Sequence, residues 1–505
     1  MSAIAVVASM GLLPWLNKSI WEDEGASLYS AHLSWTALWQ QSRVVDLVLL
    51  PYYVLLHVWI GVSDGIEWVR LLSVVAFGLT VFLVGHLGNR LGGRGCAVVS
   101  AMVLATNPLM VEGALDARPY TLSALATTAS VAALIRWFDT ARIRWMWLFC
   151  LASIAALLFQ MFTILVPLAA LAVVIVVEPR RVRNQWRGLI APVALVMAIA
   201  TAFGTVAASQ RSQIDWITSL HGKGLMIALL GPLYAIGEPS LAVAGLALVL
   251  MSIVTVAVVM CLQARRRGSF RPTRHELDIF AICVAWAVLP TVALIAASLV
   301  TPVYTSRYVT ASAPGLALAV GLLTARALEV AVPRWTVRPS VVTGGVAAGM
   351  VALVVSACSL PAAQSVIDNL QGAARYLGLH VGPDAEMATT DHALTASIEY
   401  YLQGNHNSVA IWPQLPEQLN IGDFDLRQNR QILSDAPQNV WLLDNRAVAG
   451  TSRFIAMLTR NGYVRSGTKY FVGDPVVHFR RADAGRRPKP GDFRSKATVG
   501  VPARR

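Results

Sequence analysis

Apolar residues recur along most of the chain in runs of about 18 to 22, which is long enough to cross a hydrocarbon core of roughly 30 Å as helices. Short polar segments separate the runs. The pattern predicts eleven membrane spans, at residues 3–16, 69–88, 96–113, 119–136, 145–158, 161–178, 188–208, 241–263, 279–300, 311–331 and 340–359. Residues 1–361 are therefore predicted to form a polytopic α-helical membrane bundle. The first run lacks basic leading residues and a small-residue cleavage site, so we interpret it as a retained span.

From about Gln364 the pattern becomes that of a soluble domain. Helix-like stretches alternate with short strand-like runs, which is typical of a small α/β domain. The predicted helices are at 367–377 and 452–460, and the strand-like runs are at 385–390, 409–412, 440–443 and 476–480. We expect this domain to occupy residues 362–480. The Arg-, Lys-, Pro- and Gly-rich tail at 481–505 is predicted to be disordered.

The bulk composition supports a membrane protein. Hydrophobic residues make up 56% of the chain, charged residues only 14%, and the mean hydropathy is +0.57. Soluble globular domains carry about a quarter charged residues. The net charge of +13 indicates contact with anionic membrane lipids rather than with nucleic acid. The five cysteines lie in or beside apolar segments without metal-ligand spacing, so neither a disulfide framework nor a cysteine metal site is predicted.

The distribution of arginine predicts the orientation. With a cytoplasmic N-terminus, the inner loops hold most of the arginines, as the positive-inside rule requires. Segment 224–236 is apolar enough for a short span, but counting it would place Arg265, Arg266 and Arg267 outside. We therefore interpret it as an outer-surface or re-entrant helix. The expected location is the plasma membrane, with the N-terminus cytoplasmic and the C-terminal domain extracytoplasmic.

Three acids, Glu22, Asp23 and Glu24, follow the first span in a chain that has only 28 Asp and Glu residues. A carboxylate beside a bilayer can act as a general base, a metal ligand or a cation site. A solvated acidic loop is the alternative. The acids begin a long first outer loop, predicted at residues 17–68. Asp46 stands out in this loop because apolar residues surround it.

Two further outer segments carry cations. Arg118 precedes Pro119 at the start of a predicted helix, where free backbone N–H groups favour an anion. An ion pair with Asp116 that only stabilises the turn is the alternative. Arg307, just before a late span, suits a phosphate at headgroup level, and ordinary lipid anchoring is its alternative. Acids and cations at one membrane face suit a phosphate donor and an acceptor that must be deprotonated.

These stretches resemble the GT-C superfamily of polytopic glycosyltransferases, which use lipid-phosphate sugars. The similarity is greatest to bacterial protein-mannosyltransferase-like and aminoarabinose-transferase-like enzymes. Asp23-Glu24 matches the family's acidic pair in the first outer loop. Asp116-Ala117-Arg118-Pro119-Tyr120 matches a Glu-Ala-Arg-Pro-Tyr type motif, and Arg307-Tyr308 with Pro314-Gly315 matches an Arg-Tyr motif that enters a late span.

The chain departs from the family pattern at two places. The usual His-Pro-Pro-Leu-Tyr-Tyr run corresponds here to residues 48–53, with Val48 in place of the histidine. Gln160 and Met161 stand where a His-Phe-like or Tyr-Phe-like pair is common. The missing histidines argue against a bound metal and leave the sugar undetermined.

The resemblance implies an inverting glycosyltransferase that moves a sugar from a polyprenyl-phosphate donor to a lipid, glycan or protein acceptor of the cell envelope. Asp23 would be the catalytic base and Glu24 its helper, while Arg118, Arg307 and Tyr308 would bind the donor phosphate. Substrate-binding roles are expected for the polar side chains nearby, namely Asp46, Tyr53, Asp116 and Tyr120. No cofactor is predicted, and a divalent metal ion stays an open alternative.

Mannose is the favoured sugar, and arabinofuranose or aminoarabinose is the alternative within the superfamily. A transporter or flippase of a lipid-linked precursor is the alternative from another class. It would expose polar groups at the midplane and to both faces, and internal repeats would favour it. A catalytically silent homologue is a third alternative.

Overall fold

The computed structural model describes residues 2–214, 273–331, 369–382, 385–389, 392–402, 411–412, 437–443, 451–471 and 475–482, with short pieces between residues 217 and 228. These residues divide into two compact units, one before and one after residue 367. The predicted spans at 241–263 and 340–359 lie outside the described residues. The same holds for most of segment 224–236, the arginines at 265–267 and the tail from 483 onward.

The first unit is entirely helical in its described ranges. Its helices are α1 Ser2–Leu12, α2 Glu22–His32, α3 Trp35–Val44, α4 Leu50–Ile60, α5 Ile66–Ala105, α6 Pro108–Ala114, α7 Tyr120–Thr140, α8 Ile143–Phe159, α9 Leu165–Val177, α10 Pro179–Ser209, α11 Arg274–Ser298 and α12 Ala313–Ala331. In the same ranges, five 3₁₀ segments lie between or beside them, at Leu13–Trp15, Leu47–Leu49, Met161–Ile164, Arg211–Ile214 and Ser306–Ser312.

Five stretches of these helices are long and apolar enough to cross a membrane: Ile66–Ala105, Tyr120–Thr140, Pro179–Ser209, Arg274–Ser298 and Ser306–Ala327. Four shorter apolar helices accompany them. The predicted spans that fall on described residues lie on these helices, with 69–88 and most of 96–113 both on Ile66–Ala105. The protein is a multi-pass α-helical membrane protein, and this part of the prediction is confirmed.

The predicted span at 96–113 needs correction. Helix α5 contains the second predicted span and the first part of the third, and the backbone at Gly92 and Gly93 between them is non-helical, so the chain forms two helical segments here as predicted. Gly93 has φ +73°, a conformation that a residue without Cβ adopts readily. The helix ends at Ala105, and a separate helix begins at Pro108 with Asn107 as its cap. Proline cannot continue the backbone hydrogen bonding, so the apolar pattern extended beyond the real helix end.

The bundle core is centred on α5, which packs against α1, α7 and α12. Gly315 allows a close approach in this region, since a Cβ there would lie 2.6 Å from the Trp286 ring. The indole N–H of Trp286 donates to the Ala311 carbonyl at 2.7 Å. Gly315 thus lets α11 contact the start of α12, directly after the segment that carries Arg307.

The second unit contains a five-stranded sheet, and the α/β prediction for it is confirmed. The strands are β1 Ala385–Thr389, β2 Ile411–Trp412, β3 Asn439–Leu443, β4 Tyr463–Tyr470 and β5 Pro475–Arg481, in the order β2-β1-β3-β5-β4. Strand β1 pairs in parallel with β2 and β3, and β5 pairs antiparallel with β3 and β4. Its described helices are α13 Leu370–His380, α14 His392–Leu402 and α15 Thr451–Arg460.

Sequence patterning missed strand β4. It is an edge strand, and most of its side chains are exposed or half-buried. A solvated edge strand lacks the apolar alternation by which half-buried strands are recognised.

Candidate active site

Asp23 lies in the first turn of α2, where it meets two guanidinium groups. Its Oδ2 accepts a hydrogen bond from Arg307 Nη1 at 2.9 Å and forms an ion pair with Arg118 Nη2 at 3.6 Å. The Asp23 side chain is 38% exposed. Its Oδ1 has no partner among the described residues. Asp23 is therefore both paired and accessible, with one carboxylate oxygen open.

Arg118 follows α6 in the turn that leads to α7, and its side chain is almost fully buried. Its Nη1 donates to the Asp23 carbonyl at 3.2 Å and to Ser27 Oγ at 3.1 Å. Burial disfavours the charged guanidinium, but the charge of Asp23 raises the pKa of Arg118 well above its ordinary value. Its Nε is buried without a hydrogen-bond partner. Arg118 thus stays charged and keeps one buried donor unused.

Arg307 approaches the same carboxylate from the 3₁₀ segment Ser306–Ser312, 284 positions away in sequence. Its guanidinium carbon lies 4.2 Å from the centre of the Trp21 ring, a cation–π contact. Tyr120 lies next to it on α7. The Nε of Arg307 is also buried without a hydrogen-bond partner. Both guanidiniums at Asp23 therefore retain a donor for a further acceptor.

Glu24, the neighbour of Asp23, occupies a different environment. Glu24 and Arg70 are both fully buried, and Arg70 binds both carboxylate oxygens, Nε to Oε1 at 2.8 Å and Nη2 to Oε2 at 2.6 Å. Burial would raise the pKa of Glu24, but the charge and hydrogen bonds of Arg70 hold it below its ordinary value. The remaining Arg70 donors bind the carbonyls of Leu16, Lys18 and Ser19. All five N–H groups of this arginine are used.

The Glu24–Arg70 pair also connects two sequence motifs. The backbone N–H of Ala117 donates to Glu24 Oε1 at 2.7 Å. Lys18 Nζ binds Asp116 Oδ1 at 2.7 Å, and Ser73 Oγ donates to the Asp116 carbonyl. The segment before Asp23 and the segment before Arg118 are thus fixed to each other and to α5. Asp116 pairs with Lys18 rather than with Arg118, so the alternative of a local Asp116–Arg118 ion pair does not hold.

Asp46 is half-buried beside this cluster, in a left-handed backbone conformation with φ 58°. Its Oδ2 accepts a hydrogen bond from the Tyr53 hydroxyl at 2.9 Å, and its N–H donates to the Gln213 side chain. Burial raises the pKa of Asp46 above its ordinary value, although the charge of Arg118 opposes the shift. Left-handed geometry at a non-glycine residue stores strain, which is common at functional sites.

The last two predicted residues differ in their surroundings. Tyr120 is buried next to Arg307. Tyr308 packs its ring on Phe162, with ring centres 5.1 Å apart, and among the described residues no hydrogen bond joins it to Asp23. Within the described residues, no group of three or more His, Cys, Asp or Glu side chains is arranged to hold a metal ion.

Comparisons with known proteins show which family profile and which folds the chain resembles. Residues 37–204 match the profile of a family described as dolichyl-phosphate-mannose-protein mannosyltransferase. ArnT from Cupriavidus metallidurans in the apo state matches with a TM-score of 0.58 at 14% identity, covering 94% of this chain and 97% of that one. The same enzyme bound to undecaprenyl phosphate gives a TM-score of 0.56, also at 14% identity, over 94% of this chain and 96% of that one. Among curated proteins, no sequence matches significantly.

The chain has the GT-C fold. The resemblance inferred from the three motifs is thereby confirmed. All three motifs contribute side chains to one cluster in the bundle, because Arg118 and Arg307 both contact Asp23. Glu24, from the first motif, points instead into the bundle interior towards Arg70.

Sequence reasoning missed the partners that build this part of the GT-C bundle. Arg70 is a lone charge near the start of an apolar run, and such a residue is expected to have a buried partner. That signal was present, but it did not indicate which acid the partner is. Trp21 and Ser27 gave no signal, since an aromatic and a small hydroxyl residue near a membrane surface are common.

Proposed function

We propose that the protein is an inverting glycosyltransferase that takes its sugar from a polyprenyl-phosphate donor. The observation that carries the proposal is the Asp23 carboxylate held between Arg118 and Arg307, with one oxygen open. A phosphate monoester or diester needs cations at its oxygens, and a hydroxyl acceptor needs a base. The cluster supplies both the cations and the base, because Arg118 and Arg307 lie within ion-pair distance of the Asp23 carboxylate.

In the proposed reaction Asp23 accepts the proton of the acceptor hydroxyl. The acceptor oxygen then attacks the anomeric carbon as the bond from that carbon to the phosphate oxygen breaks. The bonding electron pair leaves with the phosphate, whose added charge Arg118 and Arg307 stabilise. A single displacement of this kind inverts the anomeric carbon.

For Glu24 we propose a positioning role. Arg70 binds both of its oxygens, the Ala117 N–H binds one of them, and the side chain is fully buried, so a sugar hydroxyl would have to displace these partners to reach it. Asp46, Tyr53 and Tyr120 are proposed to contact substrate, and Tyr308 the donor phosphate. Asp116 is proposed to hold its turn through Lys18.

Mannose is the proposed sugar, because the matching family profile is that of a mannosyltransferase. An aminoarabinosyl or arabinofuranosyl transferase is the second proposal, supported by the match to ArnT over most of both chains. The undecaprenyl phosphate bound to that enzyme supports a lipid-linked donor here. The acceptor is proposed to be a lipid, glycan or protein of the cell envelope.

We also propose the orientation and domain limits predicted above, with the N-terminus cytoplasmic, the Asp23 cluster at the outer face and domains at 1–361 and 362–480. Cysteine accessibility at positions 23 and 142 checks the orientation. Labelling of position 142 alone by a membrane-impermeant reagent in intact cells would overturn it.

The decisive experiment is transfer of labelled sugar from a panel of polyprenyl-phosphate donors by the purified full chain, with membrane lipids or envelope peptides as acceptors. Transfer from one donor that Asp23→Asn abolishes, while Asp64→Asn retains it, is the expected result. Asp64 is an exposed acid after α4 and makes only a long 4.0 Å contact with His32. Equal transfer by wild type and folded Asp23→Asn would refute Asp23 as the base.

A further inference from the structure

A second cluster of cations lies at the opposite end of α7 from Arg118. Helix α7 runs from Tyr120 to Thr140, and 21 residues of α-helix span about 30 Å. That length matches the hydrocarbon thickness of a bilayer. The cations at its C-terminal end are therefore at headgroup depth on the face away from Asp23.

Three of these arginines pack on aromatic rings. The guanidinium carbons of Arg136 and Arg144 lie 5.8 and 5.2 Å from the centre of the same Trp145 ring. Arg181 lies 5.6 Å from the centre of the Phe138 ring. None of the three has an ion pair with a described carboxylate. Like charges gathered in this way repel one another unless an anion lies among them.

A fourth arginine shows an unused donor in the same cluster. Arg90 binds Asp139 through Nη2, and its Nη1 is buried without a hydrogen-bond partner. The charge of Arg136 acts on Arg90 at this position. Arg90 shares Asp139 with His275, while Arg136, Arg144 and Arg181 form no ion pair with a described carboxylate.

The backbone that carries these arginines is fixed. The Trp137 indole N–H donates to Gln185 Oε1 at 2.9 Å, and Gln185 Nε2 donates to the Ala141 carbonyl at 2.8 Å. This side chain ties the start of α10 to the turn between α7 and α8. Gln185 thereby fixes the positions of α7, the turn before α8 and α10 relative to one another, and these segments carry or adjoin Arg136, Arg144 and Arg181.

We propose that Arg90, Arg136, Arg144 and Arg181 bind the phosphate of an anionic phospholipid headgroup. Arginine suits this ligand, because its planar donors match phosphate oxygens and its face stacks on aromatic rings. The site is independent of the proposed transfer reaction. Because these arginines lie at headgroup depth, the anion is assigned to a lipid rather than to free phosphate.

The test measures thermal unfolding of the full chain in mixed micelles that contain phosphatidylglycerol or phosphatidylcholine with the same acyl chains. Phosphatidylglycerol should raise the unfolding temperature and remain bound in native mass spectrometry, while phosphatidylcholine should not. In R136Q/R181Q the apparent affinity for phosphatidylglycerol should fall at least ~10-fold. R43Q, which removes an exposed arginine from α3, should behave as wild type.

Three outcomes would overturn the proposal. These are equal stabilisation by both lipids, an unchanged phosphatidylglycerol effect in R136Q/R181Q, and equal stabilisation by inorganic phosphate at the same concentration, which would assign the site to a free anion. If R136Q/R181Q does not fold, wild type provides the second measurement. Adding salt to 0.5 M shortens the Debye length several-fold relative to dilute buffer and should weaken phosphatidylglycerol binding. Binding that does not depend on salt would contradict a charge-based site.

Discussion

Asp23 and Glu24 are neighbours in sequence, yet the structure gives them opposite environments. Asp23 is 38% exposed, and one of its oxygens is shared by two arginines from distant segments. Glu24 is fully buried and bound by one arginine through both oxygens. The Asp23 carboxylate is accessible to a substrate, while the Glu24 carboxylate is buried and has its contacts within the protein. The comparison teaches that one acidic motif combines a group for chemistry with a group that holds the chemistry in place.

The largest expected effect comes from breaking the Glu24–Arg70 pair. Arg70→Met leaves Glu24 buried and unpaired, which costs about 3–5 kcal/mol in the free energy of unfolding. Thermal unfolding and the yield of folded protein measure this. The double variant Glu24→Leu/Arg70→Met should recover part of the loss, because it removes both charges. No recovery in the double variant would contradict the role of the pair.

Substitution of Asp23 should reduce activity strongly and stability only slightly. Asp23→Asn should lower the rate of sugar transfer by roughly 10²–10⁴-fold, the usual contribution of a general base, with a small change in stability. Labelled-sugar transfer and thermal unfolding of the same preparation measure the two quantities. A loss of stability as large as that of Arg70→Met would remove the distinction between the two acids.

The two arginines at Asp23 should govern use of the donor. Arg118→Lys and Arg307→Lys keep the charge but lose the planar donors, so KM for the polyprenyl-phosphate sugar should rise about tenfold in each. Kinetics against donor and acceptor concentration separate the effects. Arg211→Lys, an exposed residue after α10, is the matched control. An effect on acceptor KM alone would contradict the phosphate assignment.

Acid should weaken the Glu24–Arg70 pair. Because the folded-state pKa of Glu24 lies below its ordinary value, the pair adds stability above that ordinary value. This stability is lost as the pH falls through the lowered, folded-state pKa. Unfolding free energy measured from pH 7 down to acid should fall more steeply in wild type than in Glu24→Gln. Parallel curves would show that Glu24 makes no such contribution.

The smallest expected effect concerns Trp21, whose ring lies against Arg307. Trp21→Leu should weaken the placement of Arg307 by about 0.5–1 kcal/mol, which appears as a severalfold rise in donor KM. Trp39→Leu, at an exposed tryptophan of α3, should leave donor KM unchanged. Equal effects of the two substitutions would indicate a general role of interfacial tryptophans.

Much of the fold could be predicted because it depends on local patterns. Apolar runs of spanning length predicted the described spans, and Arg118 and Arg307 were singled out because charges are scarce beside apolar segments. Helix ends were less accurate, as the stop at Ala105 shows, since an Asn-Pro pair interrupts an otherwise apolar run. Strand β4 was missed because its exposed residues carry no periodic signal.

By itself the sequence determined a multi-pass helical bundle, a small α/β unit and the scarce acids and arginines that mark one region. Only the tertiary structure decided which charges pair. Asp23 meets Arg307 across 284 positions and Glu24 meets Arg70 across 46, separations at which no local pattern applies. The free energy of a buried charge depends on its neighbours in space. Two adjacent acids can therefore differ in role although nothing in their sequence separates them.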